Sequence, residues 1–457
     1  MGGKARQSVE MHGVLWKPVV VDFDQPQQST EGGALLLRAV DEQLGLTDAL
    51  GRAMRDGRQS GKVHHPLLDL LRQRIFAIAC GYPDCNDARK LADDPVMKAI
   101  CGRSPEHGAA LGSQPTLSRL ENDVSPVDLL RLSYALGKTV LRRQQKVRGK
   151  KRVKRVVIDL DGVEDPTYGG QQLALFNGYY DNWCYLPLFA SVQFDDDPAQ
   201  FVLGAMLRSG KANGDLGAVP MLSRLVPRVR KSFPRALVAV RMDGAFATPE
   251  LLEWCEDQGL TYYINLPQNS ALNEAATPFQ AQARALLKAG CEALAYGEIA
   301  HQAGKWDDER RVIVRANVAL LEDRTPKDNP RFIVTNDRRR SPRATYAMYA
   351  MRGDVENRYK ELKDGLSFDR ASCTAADANQ FRYILSVAAF VLFQHLRQSV
   401  DHPDLVRAQV STLRERVIKL SVQVFETARR IVFKAPAAFG WFGAWRHAAL
   451  ACVSLRL

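Results

Sequence analysis

The stretch VVIDLDG, residues 156–162, decides how this chain is read. Val156, Val157, Ile158 and Leu160 form an apolar, β-branched run with the length of a buried strand. Two carboxylates, Asp159 and Asp161, are set into it. Side chains alternate along a strand, so these two acids share a face. Burying like charges side by side is costly unless a cation or a chemical role compensates. The strand therefore predicts a functional site at its carboxyl end.

Working outward, 457 residues are too many for one ordinary core and predict two to four domains. A hydrophobic fraction of 46% and a charged fraction of 25% are those of a folded globular protein. The net charge of +12 points to a polyanionic partner, of which nucleic acid is the commonest. Eight cysteines stand singly, with no CxxC pair and no histidine completing a zinc set. They read as reduced thiols of a cytoplasmic protein. The start, MGGKARQSVEMHG, has no apolar run of the signal-peptide kind. The longest apolar stretch, YILSVAAFVLF (383–393), is too short for a membrane span and reads as a core helix.

Residues 34–140 carry helical periodicity, as in LLDLLRQRIFAIACGY (67–82) and in SPVDLLRLSYALGKTVLRR (125–143), where Ser125 caps and Pro126 starts the helix. Residues 138–155 hold ten basic residues and no acid, a phosphate-facing pattern that includes Arg148, Lys150, Lys151 and Arg152. The plainer reading of that run is a solvated linker. After VVIDLDG, NGYYDNWCYLPLFASVQF (177–194) predicts two pairing strands broken at Asp181 and Asn182. VPMLSRLVPRVRKSF (219–233) is an amphipathic basic helix and ALVAVRMDGAF (236–246) a buried strand ending in Asp243. TPELLEWCEDQG (248–259) is a helix capped by Thr248, and LTYYINL (260–266) another strand. Residues 267–335 break this rhythm with strand-like EALAYGEIAH, RRVIVRANVALL and PRFIVTN, and read as a β-rich insertion. YAMYAMRGDVENRYKELKDGL (346–366) follows as one helix, and the basic tail LRERVIKLSVQVFETARRIVFKAP as a strand pair.

In α/β sheets, sites form at the carboxyl ends of strands, which points to Asp161, with Asp159, on the first strand and to Asp243 at the end of a later one. A third carboxylate can come from the helix after the insertion. Tyr349, Arg352, Glu356 and Lys363 lie at offsets of 0, 3, 7 and 14, and at about 100° per residue they project within roughly 60° of one another. A glutamate among cations suits a site that holds both a divalent ion and phosphate. The plainer alternative is an exposed helix laced with i,i+4 pairs such as Glu356 and Lys360.

The spacing Y-x2-R-x3-E-x6-K, read here in YAMRGDVENRYKELK, resembles the YREK signature of DDE transposases of the IS4-like group. IDLDGVEDPTYGGQQ, FNGYYDNWCYLPLF and VRMDGAFATPELLEWC are most similar to the IS1380 family, and the resemblance covers roughly residues 34–450. It implies an α/β fold: an RNase H-like core, a mixed sheet flanked by helices, interrupted by a β-rich insertion and preceded by a helical N-terminal domain. Its layout would be 1–150 for DNA binding and dimerisation, 151–266 and 336–400 for the catalytic core, 267–335 for the insertion and 401–457 for a basic C-terminal region.

The resemblance carries the metal-binding catalytic triad to Asp161, Asp243 and Glu356, with two divalent ions, Mg²⁺ or Mn²⁺, between them. Family members tend to read D-x-T at the first acid, where this chain has Asp161-Gly162-Val163 and lacks the hydroxyl. Asp159 is then a protonated or hydrogen-bonded neighbour, while Glu164 and Asp165 read as loop acids. Tyr349, Arg352 and Lys363 would contact DNA phosphates. Some IS4-like enzymes hold a flipped base on a tryptophan of the insertion, where Trp306 is the only one here. The implied activity is cleavage at insertion-sequence ends and strand transfer into target DNA by a homodimer assembled on terminal inverted repeats, with no membrane partner. Competing readings are a silent transposase-derived DNA-binding protein, an RNase H-like nuclease without strand transfer, and a glycosidase with paired carboxylates. The last leaves the basic run unexplained.

Overall fold

The computed structural model describes residues 8–12, 16–289, 292–319, 326–400 and 402–454. They fall into two compact units, one formed by residues up to Thr47, Asp56–Leu120 and the chain from Leu392, the other by Asp48–Arg55 and Glu121–Val391.

In the first unit, the helices Ala34–Leu44, Leu67–Cys80 and Pro95–Ile100 bury Leu37, Leu71, Ile75, Phe76 and Met97. A small sheet joins Gln28–Ser29 to Val422–Glu426 and Ile431–Lys434, so the later part of the alternating tail is a strand pair, whereas its start, Leu413–Ile418, is helical. Glu31, buried beside it, accepts hydrogen bonds from the Tyr82 hydroxyl (3.0 Å) and the Lys419 ammonium (2.5 Å).

The second unit opens with α1 (Pro126–Arg148), where the Ser125 hydroxyl accepts from the Asp128 amide at 3.2 Å, the cap expected from sequence. Then follow β1 (Arg155–Gly162), β2 (Leu188–Phe194), β3 (Gln200–Met206), α2 (Ala218–Ser232), β4 (Leu237–Met242), α3 (Pro249–Asp257) and β5 (Thr261–Leu266). Next come α4 (Thr277–Lys288), β6 (Leu294–His301), β7 (Arg310–Ala319), β8 (Arg331–Thr335), α5 (Pro342–Ala350), α6 (Gly353–Leu366) and, as far as Val391, α7 (Ala376–Ser399). Among the described residues the eight strands, with the short segment Lys327–Asp328 beside β7, form one mixed sheet in the order β6-β7-β8-β5-β4-β1-β2-β3. β1, β4 and β5 run parallel; the other neighbours are antiparallel. Among the described residues, 267–335 thus contribute two helices, Ser270–Ala275 and α4, and the strands β6, β7 and β8, which extend this same sheet.

Four expectations need correction. The segment 177–194 is not one hairpin: Asn182–Tyr185 pairs with Leu175–Asn177 and Asp165–Pro166 in a separate small sheet, while β2 pairs with β1 and with β3, a strand the alternation did not reveal. Thr248 precedes α3, but its hydroxyl bonds Asp215 Oδ2 at 3.0 Å instead of capping the helix. The helix foreseen over 346–366 is two, α5 and α6, broken at Met351–Arg352 just before Gly353, a residue that weakens helices. Asp165 is not a loop acid; it is fully buried.

The sheet centre explains Asp159. The parallel register sets Arg241 opposite Asp159, and the two form a buried bidentate ion pair, Nε to Oδ1 at 2.5 Å and Nη2 to Oδ2 at 2.9 Å. Arg241 also donates to Gln193 Oε1 on β2 (2.9 Å) and to the Met348 carbonyl of α5 (2.7 Å). Burial raises the Asp159 carboxyl above its ordinary value, and Arg241 opposes that rise. Removing one partner of such a pair strands a charge. Asp159→Asn should cost about 3–5 kcal/mol, read as a lowered urea midpoint. The double change Asp159→Leu/Arg241→Met should cost less than the single one. A single-variant cost below about 1 kcal/mol would refute this structural role.

Candidate active site

Two residues beyond the Asp159–Arg241 pair, the same parallel register carries Asp161 and Asp243 to neighbouring positions at the carboxyl ends of β1 and β4. Asp243 is extended (φ −81°, ψ −177°), and its Oδ1 accepts from the Ala245 amide at 2.9 Å, which fixes the turn after the strand. Gly162 follows Asp161 for a steric reason: a Cβ there would lie 2.6 Å from Arg208 Nη2. Arg208 is itself buried and spends its donors on the carbonyls of Leu186, Asn213, Gly214 and Leu216.

Glu356 sits in the first turn of α6, where the positive end of the helix dipole favours a carboxylate. The helix break turns Arg352 toward the acids. Its Nη2 lies 2.7 Å from Asp161 Oδ1 and 3.7 Å from Asp243 Oδ2, and its Nη1 lies 3.7 Å from Glu356 Oε1. All three carboxylates therefore converge on one guanidinium. The Asp161 carboxyl is pushed up to about 6, first by burial, with the neighbouring Asp243 and Glu356 charges adding to the rise and Arg352 opposing it. Among the described residues no group of three or more His, Cys, Asp or Glu side chains is close enough to hold a metal ion as placed. The donor set is nonetheless one of hard oxygens whose charge is balanced by a cation at its centre, which suits a divalent ion.

The other residues singled out from sequence are scattered. Tyr349 is half-buried and packs on the core cluster of Val157, Ala239, Tyr263 and Met348. Lys363 pairs with Asp369 at 3.3 Å. Arg148 is tied to Asp197 (2.8 Å) and stacks on the Phe194 ring, whereas Lys150, Lys151 and Arg152 are exposed. Trp306 is only 5% exposed, with the Arg310 guanidinium 5.3 Å from its ring centre. The seven described cysteines are free thiols; Cys291 lies outside the described residues.

The residues that sequence reasoning missed are arginines. Arg241 and Arg208 hold the strand ends, and Arg352 was read as a phosphate contact, not as the partner of the acids. A signal existed for Arg241: IDLD and VRMD have the same two-residue spacing, so in parallel register an acid faces an arginine and an acid faces an acid.

Asp165 lies four residues after Asp161. It accepts a hydrogen bond from the Tyr383 hydroxyl, while its Oδ1 has no partner among the described residues. Burial pushes its carboxyl up to about 8. The folded state then holds more protons than the unfolded state between the ordinary value of 3.8 and about 8, so stability falls as pH rises through that window. Wild type should lose stability relative to Asp165→Asn between pH 5 and 8, by up to about 1.4 kcal/mol per pH unit. Parallel urea titrations measure this; equal slopes would show that Asp165 ionises freely.

A mixed sheet flanked by helices, with acids at two parallel strand ends and on a later helix, is compatible with the RNase H-like fold of DDE transposases. Residues 12–453 match the family described as transposase DDE domain, group 1, and the chain belongs to that family. No curated protein sequence matches it. Among the described residues no helix is long and apolar enough to cross a membrane.

Proposed function

We propose that this chain is a DNA transposase of the IS4-like group, nearest in character to IS1380 elements, that cuts DNA at insertion-sequence ends and transfers the freed strand into target DNA. The observation that carries this reading is the convergence of Asp161, Asp243 and Glu356 on Arg352 within a DDE-family chain. These three carboxylates would hold two divalent ions, Mg²⁺ or Mn²⁺, which when bound activate the attacking oxygen and stabilise the leaving one. In cleavage, a water oxygen displaces the 3′ oxygen from the phosphate. In transfer, that 3′-OH displaces a target 3′ oxygen, so the phosphodiester count is conserved and no protein–DNA bond is formed.

The chain's own residues position the DNA. Arg352 balances the acids until substrate phosphate arrives, and then serves phosphate together with Tyr349 and Lys363. Residues 267–335 act as the insertion of this group, residues 1–150 bind the terminal inverted repeats and 401–457 form a basic C-terminal region. Cutting two ends in one complex calls for a homodimer on DNA, in the compartment that holds the chromosome.

End-labelled DNA carrying the element's own termini tests this with Mg²⁺ present. Wild type should cut at the ends, and Glu356→Gln should bind but cut at least about 100-fold more slowly, since several kcal/mol of charge stabilisation is lost. If both bind and neither cuts, the chain is a DNA-binding module.

The exposed cations Lys150, Lys151 and Arg152 supply sequence-independent contacts. Lys151→Ala should weaken binding to all duplexes alike and reduce the slope of log affinity against log salt by about one. An unchanged slope, measured by fluorescence anisotropy over a salt series, would remove Lys151 from the interface.

A further inference from the structure

The segment Asp165–Tyr185, which leaves β1 just after Asp161 and returns to β2, is unusual in what it exposes. Tyr168 is 91% exposed, Tyr179 88% and Trp183 54%, and Phe176 is exposed as well. Phe176 packs edge-on to Trp183, and Tyr179 edge-on to Tyr180. So much open aromatic surface on one short hairpin marks an interaction site. The hairpin is anchored rigidly. The Tyr185 hydroxyl donates to the Gln172 carbonyl (2.7 Å), the Gln172 amide to the Thr374 carbonyl (2.9 Å), and the Asn177 side chain to the Gly210 carbonyl (2.7 Å).

Between this segment and residues 367–374 lies a cleft of about 660 Å³, with Tyr168, Gly169, Gly170 and Gln171 on one wall and Arg370 and Ser372 on the other. Gln171 donates its amide to the Ala371 carbonyl (3.1 Å), but its buried Oε1 has no hydrogen-bond partner among the described residues. At Gly170 even a Cβ would meet nothing within 4 Å, so the backbone there is open to a ligand.

The cleft adjoins the acid site. Its wall residue Asp369 pairs with Lys363, which is seven residues, about 10 Å of helix, from Glu356. Tyr359 of α6 donates to the Glu164 carbonyl at the base of the hairpin (3.1 Å). The cleft is too small for a duplex. It fits one nucleotide: the exposed Tyr168 ring at its wall can stack a base of any sequence, and the unpaired Gln171 amide oxygen can accept from an exocyclic amine.

We propose that the Asp165–Tyr185 hairpin is a binding site for single-stranded DNA, seating one unpaired nucleotide in the cleft between Tyr168–Gln171 and Arg370–Ser372. This rests on the transposase reading only for the origin of the strand, not for the binding itself. The probe is a fluorescein-labelled mixed-sequence 12-nucleotide single strand, titrated against the full chain by anisotropy, with a blunt duplex in parallel. Tyr168→Ala should weaken single-strand binding about tenfold, Tyr168→Phe should restore it, and duplex affinity should not change. Gln171→Ala should weaken a cytosine- or adenine-rich strand more than a thymine-rich one.

Equal single-strand affinity for wild type and Tyr168→Ala overturns the proposal. So does a fall in sedimenting mass for Tyr168→Ala without DNA while single-strand affinity is kept, which would make the hairpin a contact between copies of the chain. Loss of single-strand binding in Tyr168→Ala upholds the site even if wild type fails to cut element ends, so the two readings fail separately.

Discussion

The buried pairing of Arg241 with Asp159 is the constraint on which the second unit depends. A guanidinium at the centre of a sheet must find a partner for each donor, and this one reaches three neighbours at once: β1 through Asp159, β2 through Gln193 and α5 through the Met348 carbonyl. The parallel pair β4–β1, the next strand β2 and a later helix are thereby held at a single point. Dispersion and apolar burial supply most of the stabilisation around it, through Val157, Ala239, Ile313 and Ile333. They are not directional, and the ion pair fixes which residues stand opposite one another.

The site inherits its order from that point. Asp161 and Asp243 are brought level because Asp159 and Arg241 are level. Met348 is held by Arg241, and four residues later Arg352 enters the acids. The electrostatics form a graded series. At Asp159 a full counter-charge is built in. At Asp161 the counter-charge is shared among three carboxylates, and the carboxyl rises to about 6. At Asp165 there is none within hydrogen-bond reach, and the carboxyl rises to about 8. Three aspartates within seven residues thus meet three different environments.

Much of this was legible in the sequence. Apolar runs of five to eight residues located β1, β4 and β5. Asp161 stood out because a buried carboxylate is too costly to be accidental, and Asp243 because sites gather at the carboxyl ends of strands. Helical periodicity set Arg352 and Glu356 on one face, and the two lie 3.7 Å apart. What could not be read was direction. Whether Arg352 faces solvent or the acids depends on a helix break of one or two residues, and helix periodicity runs through such a break without a change of phase. β3 was hidden because QFVLGAM is buried along most of its length and shows little alternation. Asp165 read as a loop acid because its neighbours are Pro, Thr, Gly and Gln; its burial comes from Tyr383, more than 200 residues away. The grouping of the chain from Leu392 with residues up to Leu120 joins segments far apart in sequence, and no local pattern announces it.

The register of β1 on β4 carries one more implication, for how this protein tolerates change. Support and chemistry lie on the same two strands at a spacing of two residues. Inserting or deleting a single residue in either strand reverses the facing of every side chain beyond it. That moves Arg241 off Asp159 in the same event that separates Asp161 from Asp243. Unless a bulge absorbs it, a length change here disturbs the support and the acids together, whereas a substitution can remove one acid at a time.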